Sequence, residues 1–389
     1  MNIAFCYESV LPARGGCETY IADLAGRLVA DRHEVHLYAC RWDAAALPAN
    51  LHYHCLPAVR GPRFLRPWRF GAACARALRG AQHDVSVGFD KTWGQDVLYP
   101  QGGLHAASAE HNLNKYAGKF ARTLARAAKS IDFAHWSFTA LEHRQYLGQR
   151  KPITVVNSNM VRDHFARFYA ISPAELRVVR SAIDPARFVE QDRLRRRLEW
   201  RTRWGLKPNG VAGLFVAMNY RLKGLEPLLH AIRHVPVEAP FRLLIAGNPN
   251  TASYERLAQR LGIADRVLFL GPRRDVHHCY FAADFLVHPT FYDPCSLVVL
   301  EALACGLPVI TSRFNGAAEL LTPPREGFVI DNPHDHRQLA DRITQLLDSS
   351  RRTACARAAR QTAALWTFEH HYRQLLDVFA EATERKRAA

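Results

Sequence analysis

The sequence predicts an α/β protein built from two doubly wound parallel-sheet domains. Three observations carry that expectation. The chain has 389 residues, more than a single hydrophobic core usually serves before a chain divides. Short apolar runs rich in Val, Ile, Leu and Phe alternate with helical patterns along nearly its whole length, the mark of strands covered on both faces by crossover helices. The same rhythm restarts in the second half.

The first strand is expected at Asn2 to Tyr7. A helix follows over Cys17 to Ala30, with Ile21, Leu24, Ala25 and Leu28 on one face. Further strands are expected at Glu34 to Ala39, Leu51 to Leu56, Asp84 to Phe89 and Ile153 to Asn157. A strand-like LRVV then runs into SAIDPARF, Ser181 to Phe188, where a Pro-containing turn opens a charged helix and the domain junction is expected. The second set of strands falls at Val211 to Met218, Phe241 to Ala246, Arg266 to Leu270, Asp284 to His288, Pro308 to Thr311 and Gly327 to Ile330. One domain is thus placed at 1–180 and the other at 181–366. The final segment, Thr367 to Arg387, spaces Phe368, Tyr372, Leu375 and Phe379 for burial and is expected to cross back onto the first domain.

Composition bounds the function. Hydrophobic residues make up 48% and charged residues 23% of the chain, which fits a globular protein and argues against disorder. No run approaches the roughly 18 apolar residues that span a bilayer, and the N-terminus lacks the pattern of a signal peptide, so a cytoplasmic location is expected. Nine cysteines without a CxxC pair or metal-ligand spacing read as reduced core residues, neither a disulfide frame nor a zinc site. The net charge of +16 attracts polyanions, whether nucleic acid, an anionic membrane surface or phosphorylated small molecules, and does not choose among them.

In doubly wound sheets, ligands sit outside the carboxyl ends of strands, so chemistry is sought in the loops that follow them. After the first strand, LPARGGCETY places Gly15 and Gly16 just before a helix, a setting that suits phosphate but is also that of a plain turn. Neither GxGxxG nor GxxxxGK[ST] occurs, which speaks against a nicotinamide-dependent dehydrogenase and a P-loop nucleotidase. After VAGLFVAM come Arg221 and Lys223, cations at a strand end that could neutralise phosphate or simply be solvated. After DFLVHP, the loop TFYDPC holds Asp293 and leads into a helix beginning at Ser296, whose N-terminus presents an anion site. Asp293 could instead be a helix-capping acid. Glu301 is framed by Val298, Val299, Leu300, Ala302 and Leu303, and a carboxylate in such company is costly unless paired or used.

An acid, seven intervening residues and Glu, followed by ALACGLPVITSRFNGAAEL, closely resembles the signature of retaining family-4 glycosyltransferases with the GT-B fold, two Rossmann-like domains facing a cleft. SAIDPARF, RLKG, LIAG, GPRRDV and AADFLVHP extend the resemblance over most of the chain, and AFCYES, VGFDKTWGQDV and YRLKG resemble the lipopolysaccharide core glucosyltransferase I subgroup. The chain departs from the family pattern in having Asp293 where Glu is usual and Leu222 between the arginine and the lysine.

The resemblance implies a retaining transfer of a hexose, glucose from UDP-glucose, onto a saccharide or lipid-linked acceptor such as a lipopolysaccharide core heptose. The first domain would then bind the acceptor and the second the nucleotide sugar. Arg221, Lys223, the amides of Gly15 and Gly16 and the Ser296 helix terminus would receive the leaving diphosphate. Glu301 would take the ribose hydroxyls, and Asp293, Pro294, Cys295, Ser296 and Leu297 the donor sugar. No metal or other cofactor is expected, and no DxD motif occurs. On the acceptor side His105 is the candidate, in YPQGGLHAASAEH, where the subgroup's nearby aspartate is matched by Gly102. A lone histidine is as readily structural. A nucleotide-sugar epimerase of similar fold and a nucleic-acid-binding module are the competing classes; RLKG and the paired acids count against the first, and the lack of RNP-like, zinc-finger or stacking patterns against the second. Finally, HNLNKYAGKFARTLARAAKSI carries Lys115, Lys119, Arg122, Arg126 and Lys129 opposite Tyr116, Phe120, Leu124 and Ala127, the pattern of a helix lying on an anionic membrane or of an ordinary domain helix.

Overall fold

The computed structural model describes residues 1–12, 15–58, 60–148, 151–184, 188, 192–273 and 275–388. The chain folds as two compact units, Met1–Ser181 with Glu369–Ala389, and Ala182–Phe368. Three stretches of the motifs above, residues 185–187 of SAIDPARF, Ala13 and Arg14 of LPARGG, and Arg274 of GPRRDV, lie outside the described residues.

Among the described residues the strands are β1 (Asn2–Cys6), β2 (Ser9–Val10), β3 (Glu34–Ala39), β4 (Arg41–Trp42), β5 (His52–Cys55), β6 (Val85–Phe89), β7 (Val97–Tyr99), β8 (Ile153–Val156), β9 (Leu176–Val178), β10 (Val211–Ala217), β11 (Phe241–Gly247), β12 (Val267–Gly271), β13 (Phe285–His288), β14 (Val309–Ser312) and β15 (Gly327–Ile330). In the first unit seven of them form one sheet in the order β5-β3-β1-β6-β7-β8-β9; in the second, six follow the order β12-β11-β10-β13-β14-β15. All pairings are parallel. The separate pair β2-β4 has two residues per strand, too few for a periodicity to reveal.

Parallel strands buried on both faces explain the apolar runs. In the second unit Phe215, Ile245, Val287 and Ile310 belong to one core, and their chain neighbours Leu214, Leu244, Leu286 and Val309 to the other, so successive residues point into opposite layers. The last helix, Phe368–Ala388, packs on the first unit: Tyr20 Oη lies 2.7 Å from His371 Nε2, and Arg177 grips Glu381 at 2.8 Å.

Each sheet changes winding direction once. The first turns between β1 and β6, the second between β10 and β13. At such a switch point, adjacent loops leave the sheet in opposite directions and open a crevice at the strands' carboxyl ends.

Candidate active site

In the second unit, the loops after β10 and β13 meet at this point. Gly224, the residue before the helix Leu225–Ile232, has φ +82°, and a Cβ there would lie 2.1 Å from the carbonyl oxygen of Pro289. Only glycine permits both the left-handed backbone and the contact. The Phe291 amide then donates to the Leu222 carbonyl at 2.9 Å, and the two loops are stitched together.

This stitching delivers Lys223 to Asp293. Nζ donates to Asp293 Oδ2 at 2.7 Å and to the Tyr292 carbonyl at 3.0 Å, in a pair whose side chains are 20% and 13% exposed. Burial alone would raise the Asp293 carboxyl, but the Lys223 ammonium and His288, whose Nε2 is 3.6 Å away, outweigh it and hold the group well below the usual carboxylate range. His288 is 1% exposed, and burial lowers its pKa. Its Nε2 also lies 3.4 Å from Ser296 Oγ, so lysine, aspartate, histidine and serine form a continuous polar chain.

The helix Leu297–Ala304 starts against that chain, with Ser296 as its N-cap and no side-chain capping bond. The capping reading of Asp293 therefore fails: its carboxylate turns to the lysine and the histidine. Pro294 and Leu297 are half-buried, Cys295 buried, and the Ser296 amide donates to Asn315 Oδ1 at 3.2 Å. Glu301 is half-buried and accepts a hydrogen bond from the Tyr280 hydroxyl, which orients its carboxylate. Arg221 is exposed and Lys223 is not, so the two cations are not an equivalent pair.

The first unit has its own site at the β1/β6 switch point. The helix Gly16–Ala30 begins at Gly16, one residue before the Cys17 start expected from the sequence, and Gly15 is extended at φ −177°, a conformation any residue adopts. A Cβ there would lie 2.9 Å from Glu18 Oε2, the end of a flexible side chain that can move aside. The first turn of that helix thus already holds a carboxylate.

Immediately after β6 stands Asp90, a non-glycine residue at φ +56° and so in a strained backbone region that clusters at functional sites. Oδ1 accepts from the Gly102 amide at 2.9 Å, and Oδ2 lies 3.9 Å from Cys17 Sγ. The sequence finds no aspartate at position 102; the structure brings the Asp90 carboxylate to the same place, 3.4 Å from where a Gly102 Cβ would stand. Burial pushes its pKa up, against the Gly102 amide and Lys91, which pull it down.

Asp90 and Lys91 line two cavities of about 250 and 280 Å³. His105 lines the first, its Nε2 3.0 Å from His135 Nδ1, and burial followed by the His135 charge pulls its pKa down to about 4. It is neutral at pH 7. Glu142 lies beneath, accepting from the amides of His105 and Ala106 and, at 2.6 Å, from the Tyr169 hydroxyl.

Of the second-unit candidates, Lys223, Asp293 and Ser296 are gathered in one place, with His288 as a member the sequence reading passed over; Glu301 stands farther along the Leu297–Ala304 helix with Tyr280, also passed over, as its partner, and Arg221 is exposed. Asp90 was also missed as a site residue. Its signal was an acid and a lysine directly after the apolar strand that neighbours β1, and it needs the sheet order to be read.

Two doubly wound units, each with polar side chains converging at its switch point, define a GT-B enzyme, and comparison with known families agrees. Residues 197–362 match glycosyl transferases group 1 and residues 14–187 match glycosyltransferase family 4. The chain belongs to the family-4 glycosyltransferases. It is similar to lipopolysaccharide glucosyltransferase WaaG of Escherichia coli K12, with 25% identity over 366 residues, 93% of this chain and 94% of that protein. It is also similar to D-inositol 3-phosphate glycosyltransferase of Salinispora tropica, with 27% identity in an alignment of 415 positions that covers 96% of this chain and 82% of that one. The crystal structure of WaaG superposes with a TM-score of 0.79 at 24% identity, covering 97% of this chain and 99% of that one. HepE of Anabaena in complex with UDP-glucose gives 0.71 at 18%, covering 97% and 99%.

Proposed function

We propose that this glycosyltransferase moves glucose from UDP-glucose to a saccharide or lipid-linked acceptor, a heptose of a lipopolysaccharide core fitting the similarity to WaaG, with retention and without a metal at the reacting centre. The observation that carries the proposal is the Lys223–Asp293 pair at the β10/β13 switch point beside the Ser296 helix terminus. As the sugar bond breaks, the diphosphate gains negative charge, and an ammonium held in place together with helix amides stabilises it without reorganisation. Asp293 orients that ammonium and, with the Pro294 to Leu297 backbone, meets the sugar; Glu301, oriented by Tyr280, takes the ribose hydroxyls. On this reading the second unit is the donor half and the first the acceptor half.

In the first unit Asp90 is the group that meets the acceptor hydroxyl. A carboxyl whose pKa is raised is better matched to accepting a proton near neutral pH than one held strongly ionised. His105, neutral and hydrogen-bonded to His135, shapes the cavity and does not act as a charge.

The test is a screen of nucleotide sugars that follows nucleotide diphosphate release with and without lipid-linked acceptors, in the presence of EDTA, with product anomers assigned by NMR. UDP release stimulated by acceptor and insensitive to EDTA supports the reading. Inversion, or conversion of the nucleotide sugar without acceptor, overturns it.

A lipid-linked acceptor would bring the first unit to a membrane surface, and one segment favours this. Lys119–Ser130 forms a helix with no buried residue, and Phe120 is 83% exposed, as are Ile131 at 78% and Phe133 at 76%. The ordinary reading, an apolar face packed in a core, does not hold for this helix. The basic side chains differ from the sequence expectation too: Lys115 bonds to Asn112, Arg122 to the Tyr116 carbonyl and Lys129 to the Ala109 carbonyl. Exposed aromatic and aliphatic side chains beside Lys119 and Arg126 suit an anionic bilayer. Among the described residues no helix is long and apolar enough to cross a membrane. Binding to anionic vesicles should weaken with salt and with Phe120→Ser; equal binding to zwitterionic vesicles removes this part of the proposal.

A further inference from the structure

At the opposite ends of the first unit's strands, away from the switch point, lies a cluster with no part in glycosyl transfer. β3 opens with Glu34, Val35 and His36, and β5 with His52, Tyr53 and His54. The strands pair in parallel register, His36 opposite His52 and Tyr38 opposite His54. Alternate residues share a face, so Glu34, His36, His52 and His54 stand together on one side of the sheet. Farther along this face Tyr38 packs into a core with Phe70, Ala73 and Cys74 from the helix Arg66–Leu78. Beyond that cover, polar side chains replace apolar ones.

Their atoms converge. His36 Nε2 lies 3.1 Å and His52 Nε2 3.8 Å from the same oxygen, Glu34 Oε1, and the candidate ligand atoms of the three residues all lie within 4.8 Å of one another. The other nitrogen of His36, Nδ1, is 2.8 Å from His54 Nε2. An imidazole facing a carboxylate with one nitrogen while the other is fixed by a hydrogen bond is the arrangement by which proteins orient metal-binding histidines.

We propose that Glu34, His36 and His52 bind a divalent transition metal, zinc by donor chemistry, with His54 fixing the His36 ring. Two imidazoles and a carboxylate favour zinc and its neighbours over magnesium or calcium, which take oxygen ligands. Bonds of about 2.0–2.2 Å in a tetrahedron place ligand atoms roughly 3.3 Å apart. The His36 to Glu34 separation is already near that, and the His52 to Glu34 separation closes by a small rotation of two side chains that are 57% and 51% exposed. The ion would join β5, at the edge of the sheet, to β3. The cysteine spacing that the sequence reading searched does not reveal such a site, since its ligands come as a Glu-x-His and a His on neighbouring strands.

The full chain, stripped with EDTA and dialysed, is titrated with ZnCl2 by calorimetry and with CoCl2 by visible absorption. One zinc per chain is expected, with a rise in melting temperature. His52→Ala and Glu34→Gln should each weaken binding at least tenfold, and His54→Ala about tenfold. Since His52 and Glu34 are exposed, their variants should fold, which circular dichroism checks. The rival histidine pair, His230 and His336, stacks at 5.0 Å in the second unit, and His230→Ala should leave affinity unchanged. Absence of stoichiometric binding, equal affinity in His52→Ala, loss in His230→Ala alone, or a thiolate-to-cobalt charge-transfer band would each overturn the proposal.

Discussion

Asp90 and Asp293 occupy matching places in their units, each in the loop after the strand that pairs with the unit's first strand across the switch point, β6 beside β1 and β13 beside β10. Their surroundings differ. Asp293 receives the Lys223 ammonium at 2.7 Å and is held ionised. Asp90 has a lysine next to it in sequence, yet Lys91 Nζ sits over the Phe138 ring at 3.9 Å, and the Asp90 carboxylate has the amides of Gly102 and Gln101 and the Cys17 thiol as hydrogen-bond partners. Burial therefore governs Asp90 and raises its pKa. One topology gathers acids at both switch points. What each acid can do is set by whether a cation bonds to it directly, which separates a permanent anion from a group able to exchange a proton.

The sharpest way to break this comparison is Asp90→Asn. If Asp90 takes the acceptor proton, turnover should fall roughly 10²- to 10⁴-fold while UDP-glucose affinity stays unchanged. Steady-state UDP release and calorimetry measure the two separately, and a parallel loss of donor affinity would erase the distinction between the units.

Lys223→Ala tests the other side. Turnover should fall by roughly 10²-fold or more, and more than donor affinity does, because the diphosphate carries more charge in the transition state than in the bound sugar nucleotide. Arg221, exposed as it is, should cost less when replaced by Ala. Equal effects would mean that both cations reach the phosphate when donor is bound.

A smaller loss is expected for Glu301→Gln. Hydrogen bonds to a charged group contribute about 1.5–3 kcal/mol, so donor affinity should fall roughly tenfold to a hundredfold. The Tyr280 hydroxyl can still donate to the amide oxygen, which keeps the helix in place. Unchanged affinity by calorimetry would take Glu301 out of the donor site.

How much of this the sequence made legible follows from the range of each interaction. Strands buried on both faces leave a continuous apolar run, so β1, β3, β6, β10, β11 and β13 could be read from composition alone. Lys223, Asp293 and Glu301 were legible because each stands at a strand end or breaks an apolar helix. Their pairing was not: it depends on β10 and β13 being neighbours and on Gly224 pressing against Pro289, a contact between residues far apart in the chain. Asp90 was hidden for the same reason, since its partner Gly102 follows β7 and its partner Cys17 follows β1. The segment from Lys119 to Ser130 shows the converse limit. Its helical pattern was visible, but a periodic apolar face looks the same whether a core covers it or nothing does.

The last contrast is one of stability, and it has opposite signs in the two units. Asp293 has a folded-state pKa below its unfolded value, so its ionisation stabilises the fold above the unfolded pKa, and that contribution is lost as pH falls through the folded pKa. Asp293→Asn should therefore lower the melting temperature at pH 7, where it leaves Lys223 partly buried beside a neutral amide, and the difference from wild type should narrow as the pH drops toward the acid range. Asp90 runs the other way. Its folded-state pKa is raised, so the stability linked to its protonation is present below the unfolded pKa and disappears as pH rises through the folded pKa, above which the folded chain holds a carboxylate that burial disfavours. Asp90→Asn removes that charge without new backbone strain, because asparagine is among the residues that best tolerate the left-handed region and its oxygen can still accept from the Gly102 amide. The variant should be slightly more stable at pH 7, by roughly 0.5–2 kcal/mol, the usual gain when a functional site is relieved of a disfavoured group. Paired melting curves at pH 7 and at about pH 2.5, below the ordinary carboxylate pKa, measure both. A drop in melting temperature for Asp90→Asn at pH 7 would show that Asp90, like Asp293, is held as a structural anion, and the difference between the two switch points would disappear.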